Sequence, residues 1–189
     1  RGIWLAYGLL SLSCMLAYRW AGMSWIDAFM HMCSTVSLGG FSSYDASFGH
    51  WDSPLIEAVA MVFMLLSGIN LMLYFAAWRR RSLGVLWRNI EVRSFYAVLL
   101  GSIVLITVYL VATGNHPDFL DALRRTSFHV ISVATTTGYA SYDYAQWPLF
   151  ASLLMILLGC FATCAGSTGG GIKMIRLVLL VAQARRELV

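Results

Sequence analysis

Two stretches hold the residues best suited to chemistry, "HMCSTVSLGGFSSYD" (His31 to Asp45) and "HVISVATTTGYASYD" (His129 to Asp143). Each gathers small hydroxyl residues, glycine and a closing carboxylate inside an otherwise very apolar chain, a composition unsuited to a packed core. No nucleophile stands beside a base, and the carboxylates pair with no placed histidine, so the chain is not expected to be an enzyme. What these residues can offer is oxygen. A row of backbone carbonyls can replace the hydration shell of a cation, and glycine is needed where a carbonyl must point inward at a dihedral other residues resist. The two stretches therefore read as strands of an ion selectivity filter.

A third stretch, "CAGSTGGGIK" (Cys164 to Lys173), sets Gly166, Gly169, Gly170 and Gly171 around Ser167 and Thr168. Each glycine costs a helix about 1 kcal/mol relative to alanine, so a helix must break here. A phosphate-binding loop is excluded by register: its lysine directly follows the second glycine, whereas Ile172 follows Gly171 and Met174 follows Lys173. A moving loop and a glycine-rich face for helix packing both remain open on spacing alone.

Such loops need a scaffold at membrane depth, and the composition supplies one. The chain is 59% hydrophobic and 12% charged, against about 25% charged residues in ordinary soluble domains. Charge-free stretches run Gly2 to Tyr18, Ala58 to Trp78, Ser94 to Pro117 and Tyr144 to Ile172. Each is near or above the roughly 20 residues that cross a bilayer as a helix, the first a little short and the last longer than one crossing requires. Between the second and third lie Arg79, Arg80, Arg81, Arg88 and Arg93 against Glu91, and Lys173, Arg176, Arg185 and Arg186 stand against Glu187 at the end. Both regions read as cytoplasmic. The opposite segments, Arg19 to Glu57 and Gly114 to Gln146, are mainly acidic, so the net charge of +4 marks topology and lipid contact. No basic run interleaves with aromatics, which excludes a nucleic-acid site. Cys14, Cys33, Cys160 and Cys164 fall in apolar segments and read as small buried thiols.

Sliding the chain so that His31 falls on His129 brings Ser34 onto Ser132, Gly40 onto Gly138, Phe41 onto Tyr139, and Ser43, Tyr44 and Asp45 onto Ser141, Tyr142 and Asp143. An upstream pair recurs too, Asp27 and Ala28 against Asp121 and Ala122, with four extra residues intervening in the second copy. The unit is span, outer segment, span, used twice in one orientation. In each outer segment a short helix pattern, Trp25 to Cys33 or Phe119 to Ile131, leads into the Ser/Thr/Gly run. That order describes a pore helix followed by an extended return strand, which is tolerated at membrane depth only where protein buries it or water lines it.

Here the residues resemble a family. "TTTGY" (Thr135 to Tyr139) is similar to the filter signature of potassium channels, with Ala140 where those channels carry a second glycine. Together, "STVSLGGFSSYDASFG", "ATTTGYASYDYAQWPLF" and "CAGSTGGGIKMIRL" resemble the Trk/Ktr/HKT superfamily of potassium transporters, most of all the bacterial Trk-type membrane subunit, over essentially the whole chain. The resemblance implies an all-α integral membrane fold of helix, re-entrant pore loop, helix repeats. Residues 1–93 and 94–189 look like the second and third of four such repeats. It further implies filter positions at Leu38, Gly39, Gly40 and Phe41 and at Thr136, Thr137, Gly138 and Tyr139, with potassium held at the filter only and no cofactor in this chain. Gly166, Ser167, Thr168, Gly169, Gly170 and Gly171 would form an intramembrane gate loop below the filter. A multi-pass place in the bacterial inner membrane, a homodimer of the full-length chain and a cytoplasmic nucleotide-binding regulatory subunit are implied as well. Leu38 lacks the hydroxyl of Thr136, so the pore would be pseudo-symmetric, with fewer side-chain oxygens at its inner end.

Other residues carry two readings each. His31 and His129 either pack and hydrogen-bond behind the filter or meet the ion. Asp45 and Asp143 either concentrate cations at the outer mouth or tie down the returning strands. Lys173 and Arg176 line the inner mouth or mark the inner membrane surface. Arg124 and Arg125 are expected to pair with Asp118 or Asp121, and Trp20, Trp25, Trp51, Trp78 and Trp147 to anchor at the interfaces. The competing function is a parallel-repeat carrier that rocks about unwound segments. Two pore loops cannot close a four-part filter, and the chain opens on Arg1, so a segment of a longer protein is expected.

Overall fold

The computed structural model of the chain describes residues 2–82, 84–114 and 118–187. Helix α1 (Gly2–Trp20) is followed by α2 (Trp25–Val36), an extended stretch, a 3-10 turn (Ser47–His50), α3 (Pro54–Ser67) and α4 (Leu71–Arg80). After the short α5 (Gly84–Arg88) the order recurs: α6 (Ile90–Ala112), α7 (Phe119–Ala134), an extended stretch, a 3-10 turn (Tyr144–Gln146), α8 (Leu149–Phe161) and α9 (Met174–Glu187). All regular structure among the described residues is helical.

Capping explains the recurrent Asp-Ala pair. Ser24 caps α2 by accepting the Asp27 N–H, and Asp118 caps α7 by accepting the Leu120 N–H. Asp27 and Asp121 are thus both third residues of their helices, where a carboxylate favours the positive end of the dipole. The four extra residues are one extra turn, α7 having 16 residues against 12 in α2.

The spans differ from their sequence outlines. Only α6, with 23 residues, is a single unbroken helix of the required length and hydropathy among the described residues. The second charge-free stretch is two helices, α3 and α4, bent by 84°. The break has three partners: Asn70 accepts the Met72 N–H, the Leu71 N–H donates to the Gly166 carbonyl, and the Gly68 carbonyl accepts from the Cys164 N–H. The fourth stretch breaks before its glycines, but it holds one helix, α8, and the loop rather than two half-helices: the partner helix α9 begins only after Lys173, in the charged end of the chain. Both breaks therefore satisfy each other's backbone groups, which a span in hydrocarbon must do internally.

Where the halves meet, Phe48 is fully buried with its ring centroid 4.5 Å from Tyr139 and 5.4 Å from Phe128. Arg125 pairs with Asp121 at 2.7 Å as expected, but Arg124 departs from expectation and pairs with Glu57 of α3 at 2.7 Å and Asp52 at 3.4 Å. Successive helical residues point about 100° apart, so one arginine lies over its own helix and the next faces α3. The Glu57 hydrogen bond raises the Arg124 pKa further above its ordinary value. Trp20, Trp25 and Trp78 are exposed, while Trp51 and Trp147 turn inward onto His31 and His129, at 4.9 and 5.3 Å. Cys14 and Cys164 are buried, whereas Cys33 and Cys160 face outward.

Candidate functional site

The helices α2 and α7 end identically, and that ending shapes the strands that follow. The Leu38 N–H donates to the Thr35 carbonyl (3.2 Å) and the Gly39 N–H to Ser34 (2.8 Å); at the matching positions Thr136 donates to Val133 and Thr137 to Ser132, both at 2.9 Å. These paired bonds form a Schellman C-cap, which throws one residue into the left-handed region. That residue is Leu38 (φ 56°) in the first half and Thr136 (φ 62°) in the second. Neither is glycine, and a left-handed residue with a Cβ costs about 1–2 kcal/mol. Two residues on, Gly40 (φ 72°) and Gly138 (φ 88°) are left-handed again, while Gly39, Phe41, Thr137 and Tyr139 are not. Alternating the sign of φ turns successive carbonyls toward one side of a strand, the disposition a row of cation-coordinating oxygens needs.

The two strands lie against each other. A Cβ built on Gly40 would fall 1.8 Å from the Thr137 carbonyl oxygen, while one on Gly138 meets nothing within 4 Å. Tyr139 is 1% exposed and stands behind the first strand: its hydroxyl is 3.1 Å from Thr35 Oγ1, which lies 2.7 Å from the Tyr18 hydroxyl. Its counterpart Phe41 is 81% exposed. Ser132 Oγ donates to the Tyr139 carbonyl at 2.7 Å and holds the second strand to its helix.

Both histidines are fully buried behind the strands, bonded to the backbone four residues upstream. His31 Nδ1 lies 2.9 Å from the Asp27 carbonyl and Nε2 3.0 Å from Ser42 Oγ. In His129 the distances are 2.8 Å to the Arg125 carbonyl and 3.0 Å to the Tyr142 carbonyl. Two carbonyls flank that ring, so a neutral imidazole donates to one of them and a protonated one to both. Of the two readings, packing and hydrogen bonding is the one this geometry supports. Asp45 and Asp143 are exposed beyond the strands, and Gln146 donates to Asp143 at 3.3 Å.

The glycine loop reaches the inner ends of both strands. Thr168 Oγ1 donates to the Val36 carbonyl at 2.9 Å, and the Gly170 N–H donates to Thr136 Oγ1 at 2.8 Å. Gly169 is wedged so closely that a Cβ would lie 3.0 Å from the Thr135 carbonyl and 3.2 Å from Leu38 Cδ1. The Thr136 hydroxyl is therefore engaged with the loop. Lys173, itself left-handed, turns back so that Nζ donates to the carbonyls of Gly169 and, at 3.4 Å, Gly170, while Arg176 is exposed. The base of the loop is held by Glu91 and Asn70, which are not among the site residues expected from the sequence. Glu91, 6% exposed, accepts from the Ala165 N–H at 2.6 Å and the Ile175 N–H at 3.2 Å, and Asn70 packs against Gly166. Their signal was there: each is a lone polar group in an apolar or basic setting, a pattern that marks function or a structural tie in membrane proteins.

Comparison with known proteins matches this arrangement to one family. The family model described as "TrkH: Cation transport protein" matches residues 1–189. The chain is 44% identical to the Trk system potassium uptake protein TrkH of Salmonella typhimurium, over 98% of this chain and 38% of that protein. Against TrkH of Escherichia coli K12 it is 42% identical, again over 98% of this chain and 38% of the relative. The crystal structure of the potassium transporter TrkH from Vibrio parahaemolyticus superposes with a TM-score of 0.92 at 37% identity, covering 98% of this chain and 40% of that one. The chain thus spans well under half the length of the relatives it matches. A family match over all of its residues, joined to that superposition, means that the chain belongs to the TrkH family of cation transport proteins.

Proposed function

We propose that this chain supplies two of the four units of a pore that carries potassium into a bacterial cell across the inner membrane. The units are residues 1–93 and 94–189. The observation that carries this reading is the alternation of positive φ with ordinary φ repeated at Leu38–Phe41 and Thr136–Tyr139, on two strands in contact. Carbonyls so turned replace water around a partly dehydrated cation, and the negative ends of α2 and α7 beside them favour positive charge. Beneath the strands the loop from Gly166 to Gly171 is the gate. Incomplete closure supports four units: Tyr139 is buried behind the neighbouring strand, while Phe41 is exposed at the equivalent place and awaits a further unit. The relatives are named as parts of a Trk system for potassium uptake, which supports transport as the function; a cytoplasmic nucleotide-binding regulatory subunit and a homodimer of the full-length chain complete the proposal by family resemblance. A rocking carrier draws on a different observation, the mutually bonded breaks at Gly68–Asn70 and Gly166.

Rubidium and sodium uptake by potassium-transport-deficient bacteria expressing the full parent chain separates the two. Gly138→Asp should abolish rubidium uptake while the protein still reaches the membrane. Uptake left intact by that substitution removes the carbonyl filter and leaves the carrier.

A further inference from the structure

Among the described side chains that hold the loop, Glu91 alone joins it by hydrogen bonds to α6. Its carboxylate sits in the first turn of that helix, where Asn89 caps the Glu91 N–H at 2.9 Å and fixes the backbone. A single oxygen, Oε1, accepts from Ala165, just before the first loop glycine, and from Ile175, in the first turn of α9. The two N–H groups flank the whole of Gly166–Gly171, so one atom ties both feet of the loop. Loops and first helical turns leave such donors without intrahelical partners, and inside a membrane each must find one. The same turn of α6 follows directly on the segment bearing Arg79, Arg80, Arg81 and Arg88, so a displacement at that basic end passes through one side chain to both feet together.

We propose that Glu91 is the positioning residue that holds the gate loop in its closed place under the filter, and that releasing it from α6 opens the pore. This rests on the pore reading above. Lys173 and Thr163 tie the loop to itself, Thr136 and Val36 accept from its tip, and the α3–α4 break holds its first foot through the Leu71 N–H and Asn70; among the described side chains Glu91 is the one that hydrogen-bonds both feet.

Single-channel recording from the purified full-length protein in planar bilayers tests this. Glu91→Ala should raise open probability at least about tenfold, equivalent to about 1.4 kcal/mol removed from the closed position. Unit conductance and the rubidium-to-sodium permeability ratio should stay as in the wild type. Glu91→Gln keeps an oxygen and loses the charge, and should shift open probability the same way by less. Open probability at or below the wild-type value in both variants overturns the proposal, as does a change in selectivity as large as the change in opening. Should the alanine variant fail to reach the membrane, the glutamine variant decides. A wild type that passes no cation current removes the pore reading and this proposal with it, whereas a conducting wild type matched by both variants removes the clamp alone.

Discussion

Gly40→Ala puts the proposed filter under direct strain. The new Cβ would lie 1.8 Å from the Thr137 carbonyl oxygen, and real Cβ atoms essentially never come within 3.0 Å of another heavy atom, so the strands must part by about 1.2 Å. Backbone cannot give way as the tip of a side chain does. Alanine at φ 72° adds a conformational cost of about 1–2 kcal/mol. On the proposed filter reading, a carbonyl moved that far no longer completes a cation's oxygen shell. If one such contact is comparable to a hydrogen bond with a charged group, about 1.5–3 kcal/mol is lost, which slows passage about tenfold to a hundredfold. The assay is initial rubidium uptake by deficient cells expressing the full-length chain, normalised to the amount in the membrane. Gly138→Ala is the internal comparison, since within the described residues its Cβ meets open space and only its φ resists. Gly40→Ala protein present at normal abundance and transporting at the wild-type rate would falsify the contact between strands on which the mechanism depends.

Two further outcomes follow from the packing. Arg124→Leu leaves Glu57 buried without its partner and should cost about 3 kcal/mol, the low end for such pairs because the guanidinium is 29% exposed; Glu57→Leu with Arg124→Leu should recover part of that in thermal unfolding in detergent, and a double variant no better than the single would mean the pair is not coupled. At the loop tip, Thr136→Val removes the acceptor of the Gly170 N–H and Thr136→Ser keeps it. The valine variant should open about fivefold more often, from a bond of about 1 kcal/mol, with the serine variant near wild type; equal behaviour of the two in single-channel records would remove that bond from gating.

Much of this was legible because the signals were local. The doubled His-to-Asp stretch, the two short helices before it and the break at Gly166–Gly171 each follow from residue types that favour one backbone state over others. What escaped depends on partners distant in sequence. Gly68 and Asn70 hardly punctuate an apolar run, and α3 and α4 part there because the loop residues Cys164 and Gly166 supply the bonds the break needs. Arg124 is expected to pair with Asp118 or Asp121, yet its direction is decided by Glu57 of α3. Trp51 and Trp147 look like interface anchors by position, but buried histidines offered them edges to pack on. Most instructive are Leu38 and Thr136: a side-chain preference would never place either at positive φ, and the helix ending imposes it.

In the proposed pore, that imposed handedness separates two jobs at the inner ends of the strands. Hydrogen bonds of the preceding helix set the direction of the carbonyl, so the side chain at that position is free to differ from unit to unit. Leucine can press on the loop in one quarter while threonine offers it a hydroxyl in another, with the backbone path unchanged. A ring built this way can carry a different lever in each quadrant and still present the ion with a matching set of oxygens, so that gating can become asymmetric without a loss of selectivity.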